Sequence, residues 1–404
     1  MMDQALTGVK VIDLTWQIAG PFCTKLLADY GADVIKIEMP GTGDPARKMG
    51  PFLHNEPHPE KCGLFLHLNT NKRGITVNLK SNAGKKILRE LIREADILVE
   101  NFSPGVMGRL GLSYEELEKI NPKLVMTSIS NYGQTGPYRD FKMSDTIAFA
   151  MGGAMSSQGV PEREPVAAAQ NLKLHESAYY AATGTLGAWF GARQDGIGEL
   201  VDVSIMETLM GSSDRRDNYI LSYSYTGYST TRTDPVRFRG RYYPVGPYPC
   251  KDGWVHIAMQ PSDWPRYLKT VGKEEWLSDP RWSNFFDLSL LAESDGAFIE
   301  WLADRTKQEA AEIMQAAGVL CMPFNTLADL YRDPHFKARG FWVEIDHPVT
   351  GRLTYPGAPT NMMDGGYQVR RPAPLLGQHN EEVLCGMLGY SKEDLVFLRE
   401  TGAI

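Results

Sequence analysis

The chain has 404 residues, of which 43% are hydrophobic and 23% charged, a composition that excludes disorder, coiled coil and collagen as descriptions of the whole. Its 42 Lys and Arg against 49 Asp and Glu leave a net charge of −7, which argues against nucleic acid as the main partner while leaving room for a local basic pocket. Length alone predicts two domains, or one large domain with an insertion.

In chain order, residues 9–14 form a short apolar run with β-branched members and are predicted as a strand. Pro21 suits a helix first turn and opens a helical stretch through Tyr30, which Gly31 can end. Residues 33–38 read as a second strand, so the chain begins with a βαβ unit and predicts a parallel sheet covered by helices. The rhythm resumes with strand over 74–79, helix over 83–94, strand over 96–100, helix over 114–120 and strand over 124–129. Residues 177–193 are small and apolar nearly all round, as in a buried helix, and 201–204 follow as a strand. Between Asp214 and Pro249, Tyr, Arg, Gly and Pro dominate, and the domain transition is placed there. Residues 253–259 read as strand and 262–301 as mostly helix, broken at Pro265 and Pro280. Pro- and Gly-rich loops and one or two terminal helices complete the chain.

No basic start followed by a long apolar segment occurs in the first 30 residues, and no run reaches 18 apolar residues. Neither a secretory signal nor a membrane span is expected. The cysteines (Cys23, Cys62, Cys250, Cys321, Cys385) are dispersed and none forms CxxC, which predicts reduced thiols in a cytoplasmic protein. Metal chemistry is not expected either. His54 and His58 sit in a Pro-rich loop, and His175-Glu176 lacks the second histidine of a zincin.

Glu38 closing the second strand superficially suggests a dinucleotide fold, whose fingerprint needs three glycines in the first turn. Here the turn from Thr15 to Pro21 holds Gly20 alone, and the later Gly41 and Gly43 precede Pro45 where a helix should start. An NAD-dependent dehydrogenase is therefore a distant alternative. Two polar clusters are more suggestive. Lys72 and Arg73 lie in a turn-rich loop just before a strand, while Asn101 and Phe102 follow a strand at its carboxyl end, with Arg109 soon after. Ligands of open α/β sheets bind outside the carboxyl ends of strands. Lys72, Arg73 and Arg109 are thus candidates to face phosphates, and Phe102 to stack on a base. The same residues also read as a solvated loop with ordinary surface cations.

Six collinear segments resemble the family III CoA-transferases of the CaiB/BaiF type. They are residues 8–38 with the Ala19-Gly20-Pro21 turn, the loop Asn71-Lys72-Arg73-Gly74, residues 99–107, residues 133–138, residues 252–255, and Leu376-Gly377-Gln378-His379. The resemblance implies an α/β fold: a large Rossmann-like domain with a parallel sheet from both chain ends (1–213 and 320–404) and a smaller α+β domain (214–319). It also implies an interlocked, ring-like dimer. Family members move coenzyme A from an acyl-CoA donor to a free carboxylic acid, so coenzyme A and acyl-CoA enter as substrates and no cofactor is held permanently. The implied CoA-binding set is Gln17, Ala19, Lys72, Arg73, Asn101, Phe102, Arg109 and Lys142.

In that family an aspartate attacks the thioester, dividing one difficult exchange into easier covalent steps. Counting forward from Pro165, and back from Val201-Asp202-Val203 through Gly196 and Gly198, both reach Leu174, which has no nucleophile, acid or base. Glu176 is the nearest carboxylate and the fallback nucleophile, although acidic residues are common in a helix first turn for dipole reasons alone. The sequence thus predicts a chain that is catalytically incompetent alone and pairs with an aspartate-bearing paralogue. This resembles a heteromeric transferase that activates benzylsuccinate with succinyl-CoA in anaerobic toluene breakdown, in which one subunit type lacks the aspartate. The alternatives are a CoA-binding protein, a lyase-like enzyme using other residues, or an active transferase or racemase-like enzyme using Glu176.

Overall fold

The structure, a computed structural model, describes residues 4–169, 171–211, 214–228, 232, 243–284 and 286–404. The chain divides into two units, one of Met1–Ser156, Ala167–Ser229 and Gly340–Ile404, the other of Ser157–Val166 and Thr230–Arg339.

The first unit begins β1 (Lys10–Asp13), α1 (Ala19–Asp29), β2 (Asp33–Glu38), α2 (Gly63–Leu68), β3 (Lys72–Thr76), α3 (Asn82–Ile92), β4 (Ile97–Glu100), α4 (Val106–Arg109), α5 (Tyr114–Leu117), β5 (Val125–Ser130) and α6 (Asp145–Met151). It continues with α7 (Leu172–Asp195), β6 (Leu200–Ser204), α8 (Ile205–Gly211) and α9 (Asp214–Thr226). The six strands form one parallel sheet in the order β3-β2-β1-β4-β5-β6, so the order in which strands are added reverses between β1 and β4. Alternate side chains feed two cores. Val11, Ile97 and Val99 face α1 and α7, while Ile12, Leu98 and Ile35 face α3 and the chain's last helices.

Local chemistry fixes the connections. Ser81 caps α3 by accepting the Gly84 N–H at 2.9 Å, a contact worth about 1 kcal/mol. Gly198 carries the chain into β6, where a Cβ would sit 2.0 Å from the Leu124 carbonyl oxygen; only glycine passes there.

The second unit holds β7 (Val245–Cys250), β8 (Gly253–Ala258), α10 (Trp264–Val271), α11 (Leu291–Leu302), α12 (Lys307–Ala316), β9 (Cys321–Pro323), α13 (Leu327–Arg332) and α14 (Pro334–Ala338). Its antiparallel sheet has the order β7-β8-β9. The core is aromatic: Trp276 stacks on Trp282 at 4.0 Å, with Trp264, Tyr267 and Phe298 around them. The chain then returns to the first unit with the hairpin β10 (Trp342–His347) and β11 (Gly351–Pro356), followed by α15 (Asn380–Leu384) and α16 (Lys392–Glu400).

Four details differ from the sequence reading. β3 starts at Lys72 rather than at 74, because Lys72 and Arg73 find carboxylate partners and can enter the sheet. α7 starts at Leu172, five residues earlier than expected, and is not buried all round. Its alanine face packs on the core, whereas Tyr179, Tyr180 and Phe190 are exposed. β9 pairs with β8, so residues 320–339 belong with the smaller unit and the return lies at Gly340. Within the segment expected to be irregular, residues 214–226 are helical, while 229–231 and 233–242 lie outside the described residues.

Candidate active site

The site is built on the turn after β1. Asp13, fully buried, accepts the Thr15 N–H at 2.8 Å and the Thr15 hydroxyl at 2.5 Å through Oδ1, and the Thr24 hydroxyl and Lys72 ammonium through Oδ2. Burial opposes its charge. The ammoniums of Lys72 and Lys36 and the two threonine hydroxyls outweigh that opposition and hold the carboxyl at about 2. Further along, the Asn101 side chain clasps Trp16 from both sides, accepting its N–H and donating to its carbonyl, each at 2.8 Å. Because Asn101 follows β4, the clasp joins the turns after β1 and β4, the two strands between which the sheet reverses. That crevice is where open α/β sheets bind ligands.

Gln17 sits next to the clasp with φ of 66°, left-handed and strained for a residue with a side chain. Gly20 closes the turn; a Cβ there would lie 2.3 Å from the Thr15 Cβ.

Two cavities open from this turn. The larger, about 460 Å³, is lined by Gln17, Ala19, Asn101, Phe102, Lys142 and Leu174 among others. The smaller, about 400 Å³, is bounded chiefly by Leu14, Ile37, Val77, Leu79 and Leu110, with Lys80 at its edge. Trp16, Asn101 and Phe102 line both. The two rings meet edge to face with centroids 5.5 Å apart, and so form the partition between the two cavities.

Five of the eight residues expected to bind coenzyme A therefore converge on one cavity: Gln17, Ala19, Asn101, Phe102 and Lys142. Arg109 stands beside it. A Cβ built on Gly105 would lie 3.2 Å from Arg109 Nη1 and 3.7 Å from Arg139 Nη2, so two guanidiniums flank that turn. Lys72 and Arg73 lie elsewhere. The Lys72 ammonium is inside the sheet, donating to Asp13, the Pro21 carbonyl and Asn69. Arg73 pairs with Asp33 and Glu382. Arg139 and Lys80 are cavity cations that the sequence reading missed. Arg139 follows the loop after β5, so the strand-end rule that pointed to Asn101 applies to it equally.

At the far wall, α7 is preceded by Asn171, which is left-handed. Asp145 Oδ1 accepts the N–H groups of Lys173 and Leu174 at 3.1 and 3.2 Å, satisfying two of the helix's unpaired donors. Leu174 lines the cavity, while the Glu176 carboxylate is held 2.7 Å from the Lys173 ammonium. The arrangement can receive a ligand with an anionic end, through Arg139, Lys142 and Arg109, and a neutral body, through the Trp16–Phe102 partition and the apolar cavity.

Comparison with known proteins shows the family of the chain. The family model described as CoA-transferase family III matches residues 6–380. A formyl-CoA:oxalate CoA-transferase of Bradyrhizobium diazoefficiens is 33% identical over 423 aligned positions, covering 100% of this chain and 98% of its own. One of Streptomyces avermitilis is also 33% identical, with both chains fully covered. The crystal structure of a CAIB/BAIF family protein from Brucella suis superposes with a TM-score of 0.84 at 28% identity, covering 95% of this chain and 99% of its own.

Proposed function

The chain belongs to CoA-transferase family III, and we propose that it binds a CoA thioester across the two cavities and takes part in moving coenzyme A to a free carboxylic acid. The observation that carries this reading is the meeting of Arg139 and Lys142 on a cavity whose other walls are the Trp16–Phe102 partition and Leu174, with Arg109 flanking the adjacent Gly105 turn. The guanidiniums and the ammonium receive phosphate oxygens. The aromatic partition and the apolar cavity beside it take the base. Gln17, Ala19 and Asn101 shape the wall along which the thiol arm runs.

CoA transfer needs a carboxylate oxygen to attack the thioester carbonyl carbon, so that the C–S bond breaks and the CoA thiolate departs, leaving an acyl anhydride. Leu174 has no lone pair to offer, and Glu176 is tied to Lys173 away from the lining. We therefore assign the covalent step to a paralogous subunit carrying aspartate at the position of Leu174, joined to this chain in the interlocked pair that the family resemblance implies. The relatives' names point to small carboxylic acids as acceptors, and the sequence resemblance to an aryl-substituted succinate. The test is expression of this chain alone and together with such a paralogue, followed by assay of CoA transfer from succinyl-CoA to oxalate, formate and benzylsuccinate. Turnover only by the pair is expected. Full turnover by the lone chain, abolished by Glu176→Gln, would overturn the assignment.

A further inference from the structure

We propose that the inner end of the larger cavity is a subsite for the aliphatic or aromatic portion of an acyl group, with Leu174 as its specificity-determining residue; this rests on the CoA-binding reading above. The two ends of the cavity differ chemically. Arg139, half-buried, and Lys142, exposed, stand at the solvent side. The inner wall is formed by Ile18 and Ile129, each 1% exposed, and Ile205, 6% exposed. These three belong to the main hydrophobic core of the sheet's α1–α7 face, and Met143 and Leu174 pack against it while also lining the cavity. The inner wall is thus the outer surface of the core itself.

Two polar groups nearby are already engaged, while the Ser130 hydroxyl, which also lines the cavity, is buried without a hydrogen-bond partner. The Asp145 Oδ1 is occupied by two α7 N–H groups, and the Lys173 ammonium is buried against Glu176 and the Phe149 ring. A ligand with a polyanionic head and an uncharged tail has one favourable orientation in such a space, phosphates on the cations and tail on the isoleucines and Leu174. Leucine in place of a carboxylate makes that wall continuous, removing a charge that an apolar acyl group would otherwise have to desolvate.

The experiment is calorimetric titration of the full chain with coenzyme A and with S-methyl-, S-propyl-, S-hexyl- and S-benzyl-CoA, thioethers that cannot transfer an acyl group. The expected result is about a threefold to fourfold gain in affinity per added methylene until the subsite fills, with S-benzyl-CoA far above S-methyl-CoA. Leu174→Ala should lower the ratio of S-hexyl-CoA to CoA affinity about tenfold, Leu174→Asp should flatten the series, and the volume-conserving Leu174→Met should preserve it. Coenzyme A binding with no dependence on tail length in the unaltered chain would overturn the subsite alone. Absence of any coenzyme A binding would overturn the reading on which it rests, and the subsite with it.

Discussion

The Gln17 N–H donates across 2.9 Å to Oδ1 of Asp44, a carboxylate with no exposed surface. The other oxygen of Asp44 receives the Lys36 ammonium at 2.9 Å, and that ammonium also donates to the Thr15 carbonyl. One buried ion pair thus pins both sides of the cavity turn and keeps Gln17 in its left-handed conformation. Removing one partner of a buried pair leaves the other charge uncompensated, at about 3–5 kcal/mol. Asp44→Ala should lose that much stability in denaturant unfolding. Asp44→Asn keeps an acceptor for Gln17, so it should retain more of the coenzyme A affinity than Asp44→Ala does.

The cations separate into two classes by the same reasoning. Arg109→Ala, Arg139→Ala and Lys142→Ala should each weaken coenzyme A binding by about 1–3 kcal/mol, the range for a charged hydrogen bond, with little change in the unfolding midpoint. Lys72→Met should instead destabilise the fold by about 3–5 kcal/mol, because the buried Asp13 loses its ion-pair partner. Parallel calorimetry and urea titration distinguish the two. A Lys72→Met protein of unchanged stability with lost affinity would place Lys72 on the phosphates.

Phe102 forms part of the partition between the cavities. Phe102→Ala should weaken coenzyme A by about 1–3 kcal/mol, the range for base–aromatic stacking. The loss should be smaller for pantetheine, which lacks the base. Equal losses for both ligands would remove the base from that wall.

Glu100 lies directly behind Phe102, accepting its N–H at 2.7 Å. Burial pushes the Glu100 carboxyl up to about 7 from an ordinary value of 4.5; the Ser128 and Phe102 hydrogen bonds oppose the rise and the Asp202 charge adds to it. Between pH 4.5 and 7 the folded chain therefore binds more protons here than the unfolded one, so this group makes stability fall as pH rises through that window, by about 3 kcal/mol in all. Glu100→Gln should remove that slope and be the more stable protein at pH 8. Thermal unfolding of both proteins across pH 5–8 measures it, and parallel pH curves would refute the assignment.

The first βαβ unit was legible because β-branched runs, Pro21 and Gly31 act locally. The start of β3 was not. Asn71, Lys72 and Arg73 read as a polar loop until Asp13 and Asp33, distant in sequence, neutralise the two cations within the sheet. Tertiary pairing overrode a correct local preference. Asn101 and Phe102 could be found from their place after β4. The same strand-end rule reaches Arg139 in the loop after β5, but its position beside Gly105 depends on how that loop folds back. Counting placed the expected nucleophile position at residue 174, but only the three-dimensional arrangement sets that leucine against Ile129 and Ile205 on one cavity wall.

The most direct test of the central claim, a coenzyme A site at the β1–β4 crevice, is calorimetric titration of the full chain with coenzyme A and, separately, with NAD. The account predicts saturable coenzyme A binding that weakens on Arg139→Ala and with added salt, and none for NAD, because the turn from Thr15 to Pro21 lacks the glycines that admit a dinucleotide pyrophosphate. Tight NAD binding with none for coenzyme A would contradict it.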